Sequence, residues 1–274
     1  MPSGATWSVE YPSGTYKSAP AGGVISEEWD NNPSDNAVYP QPVWANGGVY
    51  VPSPSSIQFP TSENPNNQPF PPVYTTTYTF YYPVTIKAGD GGYVSWSLSS
   101  GSVYGSTSGT VPAGSSATIY AAYGTKINLQ AYPAYSWSFV KWTTSGSVSI
   151  AAGANPGVLT ISGSGSVTAN FGLGVTFTES GLPGGATWSV TFNGQTQSAT
   201  VGPGGGTSIT FYVSAPGSYS WSAPNVGWLW YTYYSNPSSG TMSVPSQTSQ
   251  TITYSTNSFS YTWTPSGLTN GTWG

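Results

Sequence analysis

The chain has 274 residues, of which 4% are charged: four lysines, no arginine and eight acids, for a net charge of −4. Soluble proteins carry roughly 25% charged residues. A nucleic-acid partner needs a dense basic surface to release counterions, and an anionic membrane needs a polybasic patch, so both are excluded. Histidine and cysteine are absent, which removes disulfides, Cys-based zinc sites, thiolate chemistry and the usual base of a serine nucleophile.

What remains is aromatic and hydroxyl-rich. Aromatic residues make up 15% of the chain, with 12 Trp and 21 Tyr, and each can bury a large rigid surface. Ser, Thr, Asn and Gln supply the polar surface. Few carboxylates means few groups whose protonation in acid costs stability. That suits an acidic extracellular habitat, and drift toward Gly and Ser accounts for it equally. No run reaches the roughly 20 apolar residues that span a bilayer. The opening MPSGATWSVE has neither the basic region nor the apolar core of a signal peptide.

Residues 1–30 open with period-two alternation at Trp7, Val9 and Tyr11, which predicts a strand with those side chains on one face. They form a partial β-module. Residues 31–72 hold ten prolines among 42 residues, which argues against helix and central strand. The reading is a proline-rich arm or linker. Its Tyr39, Trp44, Tyr50, Phe59 and Phe70 favour an ordered arm laid on a surface, and a flexible spacer is the alternative.

Strand signals resume over 73–171. Val94, Trp96 and Leu98 alternate, as do Ala117, Ile119 and Ala121, then Ile127, Leu129 and Ala131. Val148 with Ile150, Leu159 with Ile161, and Val167, Ala169 and Phe171 follow, with Ser/Gly/Pro turns between. Residues 172–255 repeat the pattern at 175–177, 188–192, 209–213, 219–221, 228–230, 242–244 and 252–254, and Asn193-Gly194 is a hairpin signal. No window shows a helical period. The fold class is therefore all-β: tandem immunoglobulin-like or related β-sandwich modules with a long proline-rich arm. Residues 256–274 add one strand, Phe259, Tyr261 and Trp263, and the start of a further repeat.

An internal repeat stands out. PSGATWSV at 2–9 and PGGATWSV at 183–190 agree at seven of eight positions, and 266–273 echoes 180–188 with one residue missing. The run FTESGLPGGATWSV at 177–190, with the later NG turn, SITFYV strand and NPSSG turn, resembles a β-repeat of archaeal surface proteins, including accessory regions of thermopsin-like proteins. The resemblance covers about 175–255 and, as a fragment, 2–11. Region 83–171 is similar to a divergent repeat domain related to internalin B repeats. It is carried by Val84-Thr85-Ile86, Gly91-Gly92, Gly124-Thr125-Lys126-Ile127, Ala131, Phe139-Val140-Lys141-Trp142 and the segment 165–171. It departs at Ala131-Tyr132-Pro133-Ala134-Tyr135 and at Thr143 after Trp142. Both resemblances imply a surface, structural or adhesive role without catalysis.

The candidate sites are few. Glu27, Glu28, Asp30 and Asp35 read as a solvated loop rather than a catalytic pair or calcium site. The segment 202–206 lacks the Lys-Ser/Thr of a phosphate loop and reads as a turn. No catalytic, cofactor-binding or metal-ligating residue is expected. Trp142 and Trp188, at inward positions of their strands, are expected core anchors. In the aromatic run 228–234, Trp228 and Trp230 are expected to face inward, leaving Tyr231 and Tyr233 open to a neighbouring subunit or a sugar. Asn270 heads an Asn-Gly-Thr glycosylation pattern. Phe259, Tyr261 and Trp263 are candidates for strand exchange with the N-terminal fragment of another subunit. The expected function is a non-enzymatic structural or adhesive protein of an archaeal cell surface, extracellular filament or virion projection. A carbohydrate-binding surface module and an accessory region of a secreted acid protease are the alternatives. Partners would be further copies, other surface or virion proteins, or cell-surface glycans, at an extracellular, cell-surface or virion-surface location. No membrane span is expected.

Overall fold

The computed structural model describes residues 1, 5–25, 37–58 and 75–257. Among them every regular element is a strand, so the chain is all-β, as period-two alternation requires. Contacts divide it into two compact units, Met1–Gly172 and Leu173–Gly274.

Unit 1 begins with β1 (Thr6–Glu10), β2 (Tyr16–Pro20), β3 (Ala37–Pro40), β4 (Val43–Ala45), β5 (Gly48–Ser53) and β6 (Ile57–Gln58). A four-stranded sheet runs in the order β2-β1-β3-β6, and β4 and β5 form a hairpin. Val9, Tyr11 and Val38 form a small core with Trp7, Ile25 and Ile57 packed against it.

The stretch expected to be an irregular arm or spacer thus holds four strands. The prolines are placed where strands tolerate them. Pro40 ends β3, Pro54 follows β5, and Pro52 lies past the part of β5 that pairs with β4. The hairpin is closed by Asn46 and Gly47, with φ of 54° and 74°. Both residues suit a left-handed two-residue turn.

Unit 1 continues with β7 (Thr77–Ala88), β8 (Gly92–Ser100), β9 (Val103–Tyr104), β10 (Ser108–Val111), β11 (Ser116–Ala122), β12 (Lys126–Pro133), β13 (Trp137–Ser149) and the first part of β14 (Gly157–Ser180). One ladder runs β10-β8-β12-β14, and a second joins β9, β11, β7, β14 and β13. Val84 and Ile86 from the second ladder meet Val94, Trp96, Ile127 and Leu129 from the first in one core cluster that also contains Trp142. The N-terminal half of β7 pairs with β5, so β7 belongs to both halves of the unit.

Unit 2 is a two-layer sandwich. After the last part of β14 come β15 (Thr187–Phe192), β16 (Gln195–Thr200), β17 (Ser208–Val213), β18 (Gly217–Ser222), β19 (Val226–Trp228), β20 (Tyr231–Asn236), β21 (Ser239–Val244) and β22 (Ser249–Thr256). One sheet is β16-β15-β18-β21 and the other is β17-β14-β22-β20-β19. β14 and β22 are parallel. Between the layers, Phe177 packs on Phe192, Phe211 and Trp221 with ring centroids 5.7, 5.9 and 5.4 Å apart. These rings come from alternating inward positions of β14, β15, β17 and β18.

The repeat read at 2–9 and 183–190 is the visible end of a larger one. Where they are described, residues 5–80 match 186–256 in strand order and register as two copies of one module, β17 having no counterpart among the described residues. Trp7 pairs with Ala19 as Trp188 pairs with Ala199. Glu10 pairs with Tyr39 as Thr191 pairs with Ser222, and Val38 with Ile57 as Trp221 with Gly240. Val43 pairs with Tyr50 as Val226 pairs with Tyr233, and Pro52 with Tyr78 as Ser235 with Tyr254. Even a side-chain bond recurs. The Tyr78 hydroxyl donates to the Gln41 carbonyl at 3.3 Å, and the Tyr254 hydroxyl donates to the equivalent Pro224 carbonyl at 3.3 Å.

Candidate functional site: an exposed aromatic hairpin

Among the described residues of unit 2, exposed large apolar side chains gather at the tip of the β19–β20 hairpin. Trp228 and Tyr231 are cross-strand partners, and Leu229 and Trp230 form the two-residue turn between them. Leu229 has φ of 51°, an uncommon conformation for a branched apolar side chain. The turn leaves Leu229 79%, Trp230 94% and Tyr231 61% exposed. Behind the tip, Trp228 and Tyr233 are half-buried and Val226 is buried.

This corrects the expected orientation of the run. Trp230 does not face inward. The alternation of 228 and 230 suggests one strand, but the chain reverses between them. Cross-strand partners share a face, so Trp228 and Tyr231, and Val226 and Tyr233, lie together on one side. Tyr231 and Tyr233 are therefore on the same face as Trp228, not opposite it. Tyr234, 41% exposed, lies on the other. Neither Gly nor Asn marks the turn, so the usual hairpin signal was missing.

Elsewhere, Trp142 is 2% and Trp188 1% exposed. The Trp142 indole donates to the Ala154 carbonyl at 2.6 Å, and the Trp188 indole donates to the Thr207 hydroxyl at 2.7 Å. Each buried ring thus has its one polar atom bonded. Glu27, Glu28, Asp30, Asp35, Asn270, Phe259, Tyr261 and Trp263 lie outside the described residues. The segment 202–206 forms a turn in which Gly205 and Gly206 take positive φ.

Glu179 escaped the sequence reading. It sits at an inward position of β14 and is 1% exposed. Its Oε2 accepts from the Leu182 amide at 3.2 Å, whereas Oε1 has no hydrogen-bond partner. Burial, with the Glu179 charge second, pushes the Tyr254 hydroxyl up to about 12. A single carboxylate without an acid or base partner fits no hydrolytic geometry. Among the described residues no three His, Cys, Asp or Glu side chains gather as metal ligands. A depression in unit 1 is lined by Trp96, Leu129 and Pro156 together with polar side chains that carry only hydroxyls and amides, Ser95, Ser97, Thr110, Asn128 and Gln130 among them. No helix among the described residues is long and apolar enough to cross a membrane.

No family model matches the chain, and no curated protein does. Among solved structures, a cross-linked bacterial adhesin from Mobiluncus mulieris is similar at 12% identity, with a TM-score of 0.29, over 62% of this chain and 85% of that one. The C-terminal fragment of the pilus adhesin SpaC from Lactobacillus rhamnosus GG is similar at 11% identity and a TM-score of 0.26, over 67% of this chain and 100% of that one. The Bacillus anthracis TIE protein matches at 9% identity and a TM-score of 0.24, over 92% of this chain and 48% of that one. Likenesses this remote carry no function. The all-β architecture follows from the strand pairing above.

Proposed function

We propose that this chain is a non-enzymatic structural or adhesive component of an extracellular surface, and that it works by associating with further copies of itself or with other surface proteins. The observation that carries the reading is the β19–β20 tip. Three consecutive large apolar side chains, Leu229, Trp230 and Tyr231, stand in solvent on a two-residue turn. Aromatic side chains in that setting form the centre of interfaces. The inventory supports it: no histidine, no cysteine and 4% charge leave little with which to run chemistry. Placement on an archaeal cell surface, filament or virion projection rests on the sequence resemblance at 177–190 alone, as does the reading as an accessory region of a secreted acid protease.

Glycan binding is the second reading, favoured by the exposure of Trp230 and Tyr231. Sugars stack on such rings. Sedimentation of the chain over rising concentration, beside a glycan array, separates the two. Concentration-dependent assembly with a blank array supports self-association. Saturable sugar binding by a persistent monomer, lost on Trp230→Ser, supports the second reading and contradicts the first.

A further inference from the structure

Among the described residues, β14 and β17 of unit 2 have no counterpart in the N-terminal copy. In unit 2, β14 lies parallel to β22, with Thr176 opposite Ser249 and Ser180 opposite Thr253. Thr253 also pairs with Asn236 of β20, so β22 is flanked on both sides. In the N-terminal copy Thr77 pairs with Ser53 just as Thr253 pairs with Asn236. Among the described residues no strand pairs with the other side of Thr77. Burial differs at the matching positions. Thr76, Tyr78 and Trp7 are half-buried, whereas their counterparts Ile252, Tyr254 and Trp188 are 0%, 2% and 1% exposed.

The sequence holds a strand that fits. Residues 259–268, FSYTWTPSGL, align without a gap on 173–182, LGVTFTESGL. Thr262, Thr264, Ser266, Gly267 and Leu268 are identical to their counterparts. The inward Leu173, Val175 and Phe177 of β14, all buried, are answered by Phe259, Tyr261 and Trp263. Size is compensated across the core. Phe177 packs on Trp221, and the N-terminal copy has the smaller Val38 at the Trp221 position and the tail offers the larger Trp263. Such volume-conserving exchanges are the ones cores tolerate. Pro265 replaces Glu179, whose amide donates to the Thr207 carbonyl. The exchange forgoes that bond and brings no carboxylate into the core.

In unit 2 the place that a β14-like strand takes, beside β22, is already held by β14. Only Asn257 and Ser258 separate the segment 259–268 from the end of β22. The hairpins give independent support. In the N-terminal copy, β4 directs Trp44 onto Tyr104 and Tyr120 of the domain that follows, with centroids 6.0 and 4.9 Å apart. The equivalent hairpin of unit 2 has Gly227 at the Trp44 position and instead exposes Leu229, Trp230 and Tyr231 at its tip, where a following module would cover them.

For the chain of 274 residues, we propose that residues 259–266 of one copy complete the N-terminal module of a second copy, as a strand parallel to β7 with Ser266 opposite Thr77. This deepens the self-association reading and rests on it. The contact is heterologous, so repeating it builds a filament or closes a ring.

The test compares the intact chain, a chain lacking 257–274 and the full-length Trp263→Asp variant, by sedimentation velocity and electron microscopy. Both altered chains should be monomers at concentrations where the intact chain assembles, with melting curves that keep both units folded. A labelled peptide of residues 257–268 should bind the shortened chain one to one, and at least tenfold more weakly when it carries Trp263→Asp. Assembly that persists without the tail would overturn strand exchange and leave self-association standing. An intact chain that stays monomeric overturns both. If its tail amides are then protected from hydrogen exchange, the tail serves its own chain.

Discussion

At the residue scale, stability is concentrated in a few buried rings and one glycine. Deleting a large aromatic from a core costs about 3–5 kcal/mol. Trp188→Ala also strands the Thr207 hydroxyl, and Trp142→Ala strands the Ala154 carbonyl. Each change should lower the melting of its own unit by several kcal/mol and spare the other. A loss below about 1 kcal/mol in denaturant titration would remove the anchor role. Gly181 has φ of 98°, and a Cβ there would clash with the Tyr254 carbonyl oxygen. Gly181→Ala should therefore cost unit 2 more than the about 1–2 kcal/mol of left-handed backbone strain alone.

Tyr254 adds a pH signature. Folded, its hydroxyl holds its proton to about 12, against the model-peptide value of 10.0. Between those values the unfolded chain has released a proton that the folded chain keeps, so stability falls as pH rises. Below 10 the group contributes no slope. Thermal melts between pH 9 and 12 should show a decline in unit 2 that Tyr254→Phe reduces. An unchanged slope in the variant would assign the decline elsewhere.

At the element scale, strands were legible and turns were not always. Alternation at Val94-Trp96-Leu98 or Ile127-Leu129-Ala131 marks a strand because one face must be buried and the other wet. The Asn193-Gly194 turn was equally plain, with φ of 48° and 75°. Two hairpins escaped. Asn46-Gly47 carried the same signal, overshadowed by surrounding prolines that fall at strand ends. Leu229-Trp230 carried no signal, because a turn of apolar residues looks like a strand until the pairing of Val226 with Tyr233 is known. Since that tip touches no core, the double change Leu229→Ser with Trp230→Ser should leave the melting of unit 2 within about 0.5 kcal/mol. A larger loss would mean that the tip supports its own hairpin rather than a partner.

At the scale of the whole molecule, one copy of the module precedes a different sandwich in the sequence and a second copy follows it. Between the two copies only the end at 2–9 and 183–190 is legible as sequence identity, because elsewhere what recurs is ladder register rather than side-chain identity. Val38 stands for Trp221 and Gly48 for Tyr231, yet each keeps its pairing partner. Glu179 went unread for a related reason: a carboxylate at an inward position breaks the pattern used to find the core. Low charge and hydroxyl-rich faces then have a common sense. Buried rings and paired strand edges hold each module, and the Leu229-Trp230 tip stands in solvent.

The most direct measurement is sedimentation velocity of the intact chain across a concentration series, beside the Leu229→Ser, Trp230→Ser variant. The weight-average mass of the intact chain should climb with concentration, and the variant should lag well behind it while remaining folded. An intact chain that sediments as a 28.5 kDa monomer throughout, indistinguishable from the variant, would contradict the account.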